Sequence, residues 1–236
     1  MPRHDTLLEK NLSREKDEGH KKTVFISFHW RTGKIDKDPE SFKGSMYLKG
    51  INSLLNSSKL KEMVESDGIR VYFMPHAKFL KYINDFAVPD YIEIPKDKPF
   101  QDILVESDLI ITDFSSNSLE MAYMDKPTIV YVPDKRDVLQ TCPQYSIDAV
   151  KNYANMTYCE TQDKVFSKMK ELMDGKYDFS KTLFKYVDTD NTKRLVEWML
   201  KTVEKKSMPD RKPSKEEIRR AASKFVRNMV IGGAAH

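Results

Sequence analysis

Between an apolar run and a helical segment, residues 115–118 place four small polar side chains in a row: Ser115, Ser116, Asn117 and Ser118. Hydroxyls and free backbone N–H groups at a helix start suit a phosphate, whose oxygens accept their hydrogen bonds. Glu120 follows on the first helical turn, where a carboxylate can take the two hydroxyls of a ribose. The chemistry these types and spacings offer is the binding of a nucleotide. The same residues can also do no more than cap a helix and answer its dipole. Four in a row exceed what one cap needs.

Two further residues stand where such a ligand would lie. Arg31 comes just past the apolar run TVFISFHW, residues 23–30. His76 comes just past a second run, residues 69–74, after Pro75. In open α/β sheets ligands bind outside the carboxyl ends of the strands. Arg31 there is an anion contact or a solvated loop arginine. His76 can meet a phosphate or a charge developing on a leaving group, and it can equally be a packed histidine. His29 reads as packed.

The elements that position these groups follow from apolar periodicity. Strands are expected at 23–30, 69–74, 91–95, 109–113 and 128–132. Helical spacing marks Tyr47 to Leu55, then a segment after Ser57 that Gly68 ends, then residues 98–107, 119–124 and 163–174. Strands alternating with helices predict a Rossmann-like, doubly wound parallel α/β sheet. Residues 135–160 read as loop and short elements. Residues 184–200 end in a helix on which Asn191 and Arg194 are candidate ligand contacts or, equally, a cap and a surface arginine.

The stretch TDFSSNSLEMAYMDKPTIVY resembles the signature of the CDP-glycerol glycerophosphotransferase family, which builds teichoic acids and related polyol-phosphate capsules. Phe114 replaces the family's usual Tyr, and Glu120 stands near where the family often has Asp. Trp30-Arg31, Pro75-His76, Asp102-Ile103-Leu104 and the segment FKYVDTDNTKR extend the likeness. PRHDTLL, residues 2–8, resembles the segment that joins the two domains of that family's GT-B fold.

The resemblance implies the C-terminal, donor-binding half of a GT-B transferase that uses CDP-glycerol or a related nucleotide. It implies Ser115, Ser116, Asp113, Arg31 and Asn117 as contacts of the donor phosphates, Glu120 for the ribose and His76 as the catalytic group. It also implies a polymer or lipid-linked acceptor, and an N-terminal domain or partner chain to supply the general base, since the family's Trp-His-Gly motif does not occur in this sequence. No cofactor is expected and no metal, because no Asp-x-Asp pair stands at a strand end; Asp188-Thr189-Asp190 lies in the closing turn. A sugar-nucleotide glycosyltransferase half using a UDP or CMP donor, or a catalytically silent nucleotide-binding module, fits the same residues.

Composition sets the outer limits. The 236 residues are 39% hydrophobic and 32% charged, in the globular range, and the net charge of +4 is too mild for a nucleic-acid-binding chain. No apolar run approaches the roughly 20 residues of a membrane span. Cys142 and Cys159 form no metal or redox spacing and fit a reducing compartment. These features predict a cytoplasmic location. The expected domains are a hinge segment at 1–22, a nucleotide-binding domain at 23–204, and a linker with a basic amphipathic helix at 205–236. That helix, opened by a capping box from Ser214 to Glu217, is suited to an anionic membrane surface on the inner face of the cell membrane, or to another domain.

Overall fold

The computed structural model describes residues 2–14, 20–141, 147–148, 155–175, 184–205, 214–217, 219–220 and 223. They fall into two compact units, Lys16–Ser180 and the combination of Met1–Glu15 with Lys181–His236. The expected domain from 23 to 204 thus divides near residue 180. Its closing helix pairs with the N-terminal segment, which is itself a helix.

The larger unit carries a five-stranded parallel sheet among the described residues. Its strands are β1 (Thr23–Ile26), β2 (Arg70–Phe73), β3 (Leu109–Thr112), β4 (Thr128–Tyr131) and β5 (Met156–Cys159), in the order β2-β1-β3-β4-β5. All four pairings are parallel. β1, β3 and β4 are buried along their whole length, which is why they read as unbroken apolar or β-branched runs. The order reverses between β1 and β3, so those two strand ends open onto the crevice of a doubly wound sheet.

Two strand assignments change. Residues 91–95 give only one bridge, between Glu93 and Tyr72. Pro89 and Pro95 flank that bridge; a proline has no N–H to extend a ladder, and Ile92 instead bonds back to Pro89 in a turn. The fifth strand is β5, inside the stretch expected to be loop and short elements. It is four residues long and half-buried, an edge strand too short to leave a period.

Helices α2 (Lys34–Lys37), α3 (Pro39–Gly44), α4 (Met46–Leu55) and α5 (Ser58–Glu65) join β1 to β2. Ser45 caps α4, its hydroxyl accepting from the Leu48 N–H at 3.1 Å. Ser57 holds the corresponding place before α5, but its side chain makes no cap bond. Gly68 takes φ +69°, the left-handed turn that favours glycine. A 3-10 segment, Ala77–Asp85, follows His76.

α6 (Phe100–Glu106) leads to β3, and α7 (Asn117–Tyr123) lies between β3 and β4. Lys126 explains its place in the signature. Its buried ammonium donates to the carbonyls of Leu104 and Val105 at 3.3 and 2.6 Å, satisfying the open end of α6. α8 (Lys135–Thr141) follows β4, and α9 (Gln162–Met173) follows β5 with Val165, Phe166, Met169 and Leu172 buried. Apolar side chains from β1, β2, β3, α4, α5 and α9 share one core.

In the smaller unit α1 (Pro2–Ser13) packs with α10 (Asn191–Lys205). The capping box forms as expected: the Ser214 N–H donates to Glu217, and the Glu217 N–H to the Ser214 hydroxyl. Most of the amphipathic helix it opens, and Cys142, lie outside the described residues.

Candidate functional site

Because the strands run parallel, residues just past their ends gather at one sheet edge. Arg31 after β1, His76 after β2, Asp113 after β3 and Asp134 after β4 are the chemically capable ones. Arg31 is 4% exposed, and its anions are the chain's own. Nε and Nη2 donate to the two oxygens of Asp134 at 2.7 and 2.6 Å, and Nη1 donates to Asp113 at 2.6 Å. Burial alone would weaken this guanidinium's hold on its proton; Asp113 and Asp134 more than reverse that and raise its pKa. The Tyr47 ring of α4 lies 4.7 Å from the guanidinium carbon, and the buried Tyr47 hydroxyl has no hydrogen-bond partner among the described residues.

Asp113 is 1% exposed. Its second oxygen accepts the His29 backbone N–H at 2.8 Å, while Arg31 donates to the His29 carbonyl at 3.0 Å. Both carboxylate oxygens of Asp113 therefore meet protein donors. Burial raises the pKa of Asp113, and Arg31 and the His29 N–H only partly offset it.

This network fixes the backbone at His29 and so aims its ring. His29 and His76 meet edge to face with centroids 5.7 Å apart, and Trp30 lies 6.0 Å from His29 and 6.1 Å from His76. The Lys78 N–H donates to Nδ1 of His76 at 3.2 Å, which leaves Nε2 to carry the proton of the neutral ring. Burial, His29 and Lys78 push the His76 pKa below its ordinary value, against a smaller pull from Asp113. Burial, Arg31 and Lys78 push His29 down as well. Both rings are thus biased toward the neutral form.

The signature turn departs from a plain helix cap. Ser116 holds the cap position in helical rather than extended backbone, and its exposed side chain makes no cap bond. Ser115 accepts the Asn117 N–H at 3.3 Å instead, and the Ser118 hydroxyl donates to the Ser115 carbonyl at 2.7 Å. Ser115 and Ser118 thus build the turn, and Ser116 presents a hydroxyl outward. α7 is only seven residues long, so its macrodipole is small and local groups must carry any attraction for an anion. Glu120 is 5% exposed, a buried carboxylate on α7 rather than one on open surface.

Asn191 and Arg194 belong to the smaller unit, where their polar groups bind other side chains. The Asn191 amide donates to Asp5 at 2.7 Å and Arg194 grips Asp188 with both Nη atoms at 3.0 and 2.6 Å. Asp5 was missed in the sequence. It accepts the N–H groups of Asn191 and Thr192, at 3.1 and 2.7 Å, and caps α10 from a distant part of the chain. Asp134 was missed as well, although its place after a strand end was a signal of the same kind as those of Arg31 and His76.

Comparison with known proteins agrees with the signature. The model of the CDP-Glycerol:Poly(glycerophosphate) glycerophosphotransferase family matches residues 1–217. The chain belongs to this family. The minor teichoic acid biosynthesis protein GgaB of Bacillus subtilis (strain 168) is 28% identical over 212 residues, which are 83% of this chain and 22% of that protein. A putative UDP-N-acetylglucosamine 2-epimerase from Listeria monocytogenes shares the fold, with a TM-score of 0.50 at 16% identity over 90% of this chain and 55% of its own. The structure of the wall teichoic acid polymerase TagF aligns over 87% of this chain and 51% of its own, at 17% identity and a TM-score of 0.43. The chain thus spans between about a fifth and just over half the length of these relatives. Its family is one of transferases, and its sheet is the parallel α/β sheet that the sequence predicts. Among the described residues no helix is long and apolar enough to cross a membrane.

Proposed function

We propose that this chain supplies the donor-binding module of a CDP-glycerol glycerophosphotransferase acting in teichoic acid or capsule synthesis. The observation that carries the reading is the family match over residues 1–217, in a fold that sets His76 and the Ser115–Asn117 turn on one sheet edge. His29 ties the two together, with its N–H on Asp113 and its ring against His76.

In the reaction an acceptor hydroxyl attacks the phosphorus that bears glycerol. The bond from that phosphorus to the bridging oxygen breaks, CMP leaves with the electron pair, and a base takes the hydroxyl proton. Catalysis of this kind is mainly positioning and charge stabilisation. Ser115, Ser116 and Asn117 would bond the donor phosphates, Glu120 the ribose, and Nε2 of His76 the charge growing on the departing phosphate. Arg31 and Asp113 would act through the backbone they hold. The acceptor is a polymer or a lipid-linked chain, and the base comes from a further domain or partner chain. The module works at the cytoplasmic side of the membrane.

The test is calorimetry with CDP-glycerol, CDP-ribitol, a UDP-sugar and a CMP-sugar. CDP-glycerol or CDP-ribitol should bind best, and Ser116→Ala should weaken it about tenfold in a folded protein, as loss of a charged hydrogen bond requires. Preference for a UDP-sugar, or unchanged affinity in the variant, would count against the assignment.

A further inference from the structure

The charge balance of the site leaves a donor diphosphate short of a cation. Such a group carries two negative charges in its linkage. The guanidinium of Arg31 is enclosed by Asp113 and Asp134, and Lys135 pairs with Glu160 at 3.4 Å. His29 and His76 are rings whose surroundings favour the neutral form. Lys78 brings an ammonium to the same cluster, over the Trp30 ring that neighbours both histidines. It lies two residues past His76, is exposed, and rests its Nζ 3.2 Å from the centre of the Trp30 ring.

We propose that Lys78 is a donor-binding residue of this site: its ammonium leaves the Trp30 face and pairs with the diphosphate when a nucleoside-diphosphate-linked donor binds. The inference rests on the donor-site reading given above. The Lys78 ammonium is itself exposed, and a solvated cation over a ring is held more weakly than one in a charge-assisted hydrogen bond to a phosphate oxygen, so the exchange runs toward the ligand. The Lys78 N–H already donates to Nδ1 of His76, which anchors the backbone of this residue at the histidine. Side-chain rotation alone then moves the charge between the Trp30 face and the diphosphate. Arg136, exposed at the start of α8 after β4, provides the comparison.

The experiment uses the full chain with Trp198→Phe, which leaves Trp30 as the sole tryptophan. CDP-glycerol and inorganic pyrophosphate are titrated while indole fluorescence and heat are recorded together. Binding should change Trp30 fluorescence in the parent chain. Lys78→Met should weaken both ligands about tenfold or more and abolish the fluorescence change, and Lys78→Arg should restore most of the affinity. Arg136→Met should leave the fluorescence response in place. CDP-glycerol binding with unchanged affinity in folded Lys78→Met overturns the role of Lys78 and leaves the donor site standing. Loss of affinity only in Arg136→Met reassigns the cation and likewise overturns it. Failure of the parent chain to bind CDP-glycerol removes the donor-site reading and this inference with it.

Discussion

His29 and His76 meet edge to face at the ends of two neighbouring parallel strands, 5.7 Å between centroids with 67° between their planes. Burial lowers the pKa of both rings; Arg31 pushes His29 further down, His29 does the same to His76, and Lys78 adds to the effect on both. An anion bound beside the pair would reverse that bias. His76 would then titrate at a higher pH in the complex than in the free chain.

The sign of the pH dependence follows. The free His76 pKa lies below 6.5, and the bound value is raised, so binding takes up a proton between the two. CDP-glycerol affinity should therefore rise as pH falls through the bound value and level off below the free one. The levelling-off should come below pH 6.5, because burial has moved the free value down. His76→Gln should flatten most of the slope; His29, which shares the surroundings, accounts for what remains. An unchanged slope in His76→Gln would place the titrating group elsewhere.

Arg31 and Asp134 are tied by two hydrogen bonds at 2.7 and 2.6 Å in a place almost closed to water. Removing one partner of a buried ion pair costs about 3–5 kcal/mol, since the other charge stays behind. Arg31→Met leaves two buried carboxylates and should lose that much in urea unfolding. Asp134→Asn keeps an acceptor for the guanidinium and should lose less. A loss under about 1 kcal/mol in Arg31→Met would show the network to be dispensable.

The sheet was legible in the sequence where strands are buried on both faces. β1, β3 and β4 are apolar or β-branched throughout, and so is most of β2. β5 was not legible, because a half-exposed edge strand of four residues carries no period. Residues 91–95 looked like a strand because alternation says nothing about the prolines that block a ladder. At the site, strand ends marked Arg31 and His76, and the family resemblance added Asp113, but neither showed the partners each would take. The pairing of Arg31 with Asp134 spans 103 positions, and only the strand order brings the two together. The cap on α10 was hidden for the same reason, since Asp5 lies 186 positions from Asn191.

Gly50 reports how tightly α4 presses on the loop after β4. A Cβ there would stand 2.3 Å from Cβ of Pro133, the residue before Asp134. Alanine gains up to about 1 kcal/mol of helix propensity, while overpacking costs about 1–3 kcal/mol or more at so close an approach. Gly50→Ala should melt lower than the parent and bind CDP-glycerol more weakly, because Pro133 carries Asp134 with it. A higher melting temperature with full affinity would mean that the helix shifts without cost.

Asp5 offers a test confined to the smaller unit. Burial would raise its pKa, but hydrogen bonds from Thr192 and Asn191 outweigh that and lower it below 3.8. A carboxylate with a depressed folded pKa stabilises the fold above its unfolded value, and the contribution is lost as pH falls through the folded one. The effect of Asp5 should thus be complete at neutral pH and fade below about pH 4. Asp5→Ala removes the cap of α10 and should cost about 2 kcal/mol at pH 7, at the upper end for a cap because both backbone and side-chain donors are orphaned. Asp5→Asn keeps acceptor capacity and should cost less. Hydrogen exchange along Asn191–Lys205 reads the result directly: amides of the first turn should exchange faster in Asp5→Ala at pH 7. Equal protection in the two proteins would show that α10 holds its N-terminus without the carboxylate.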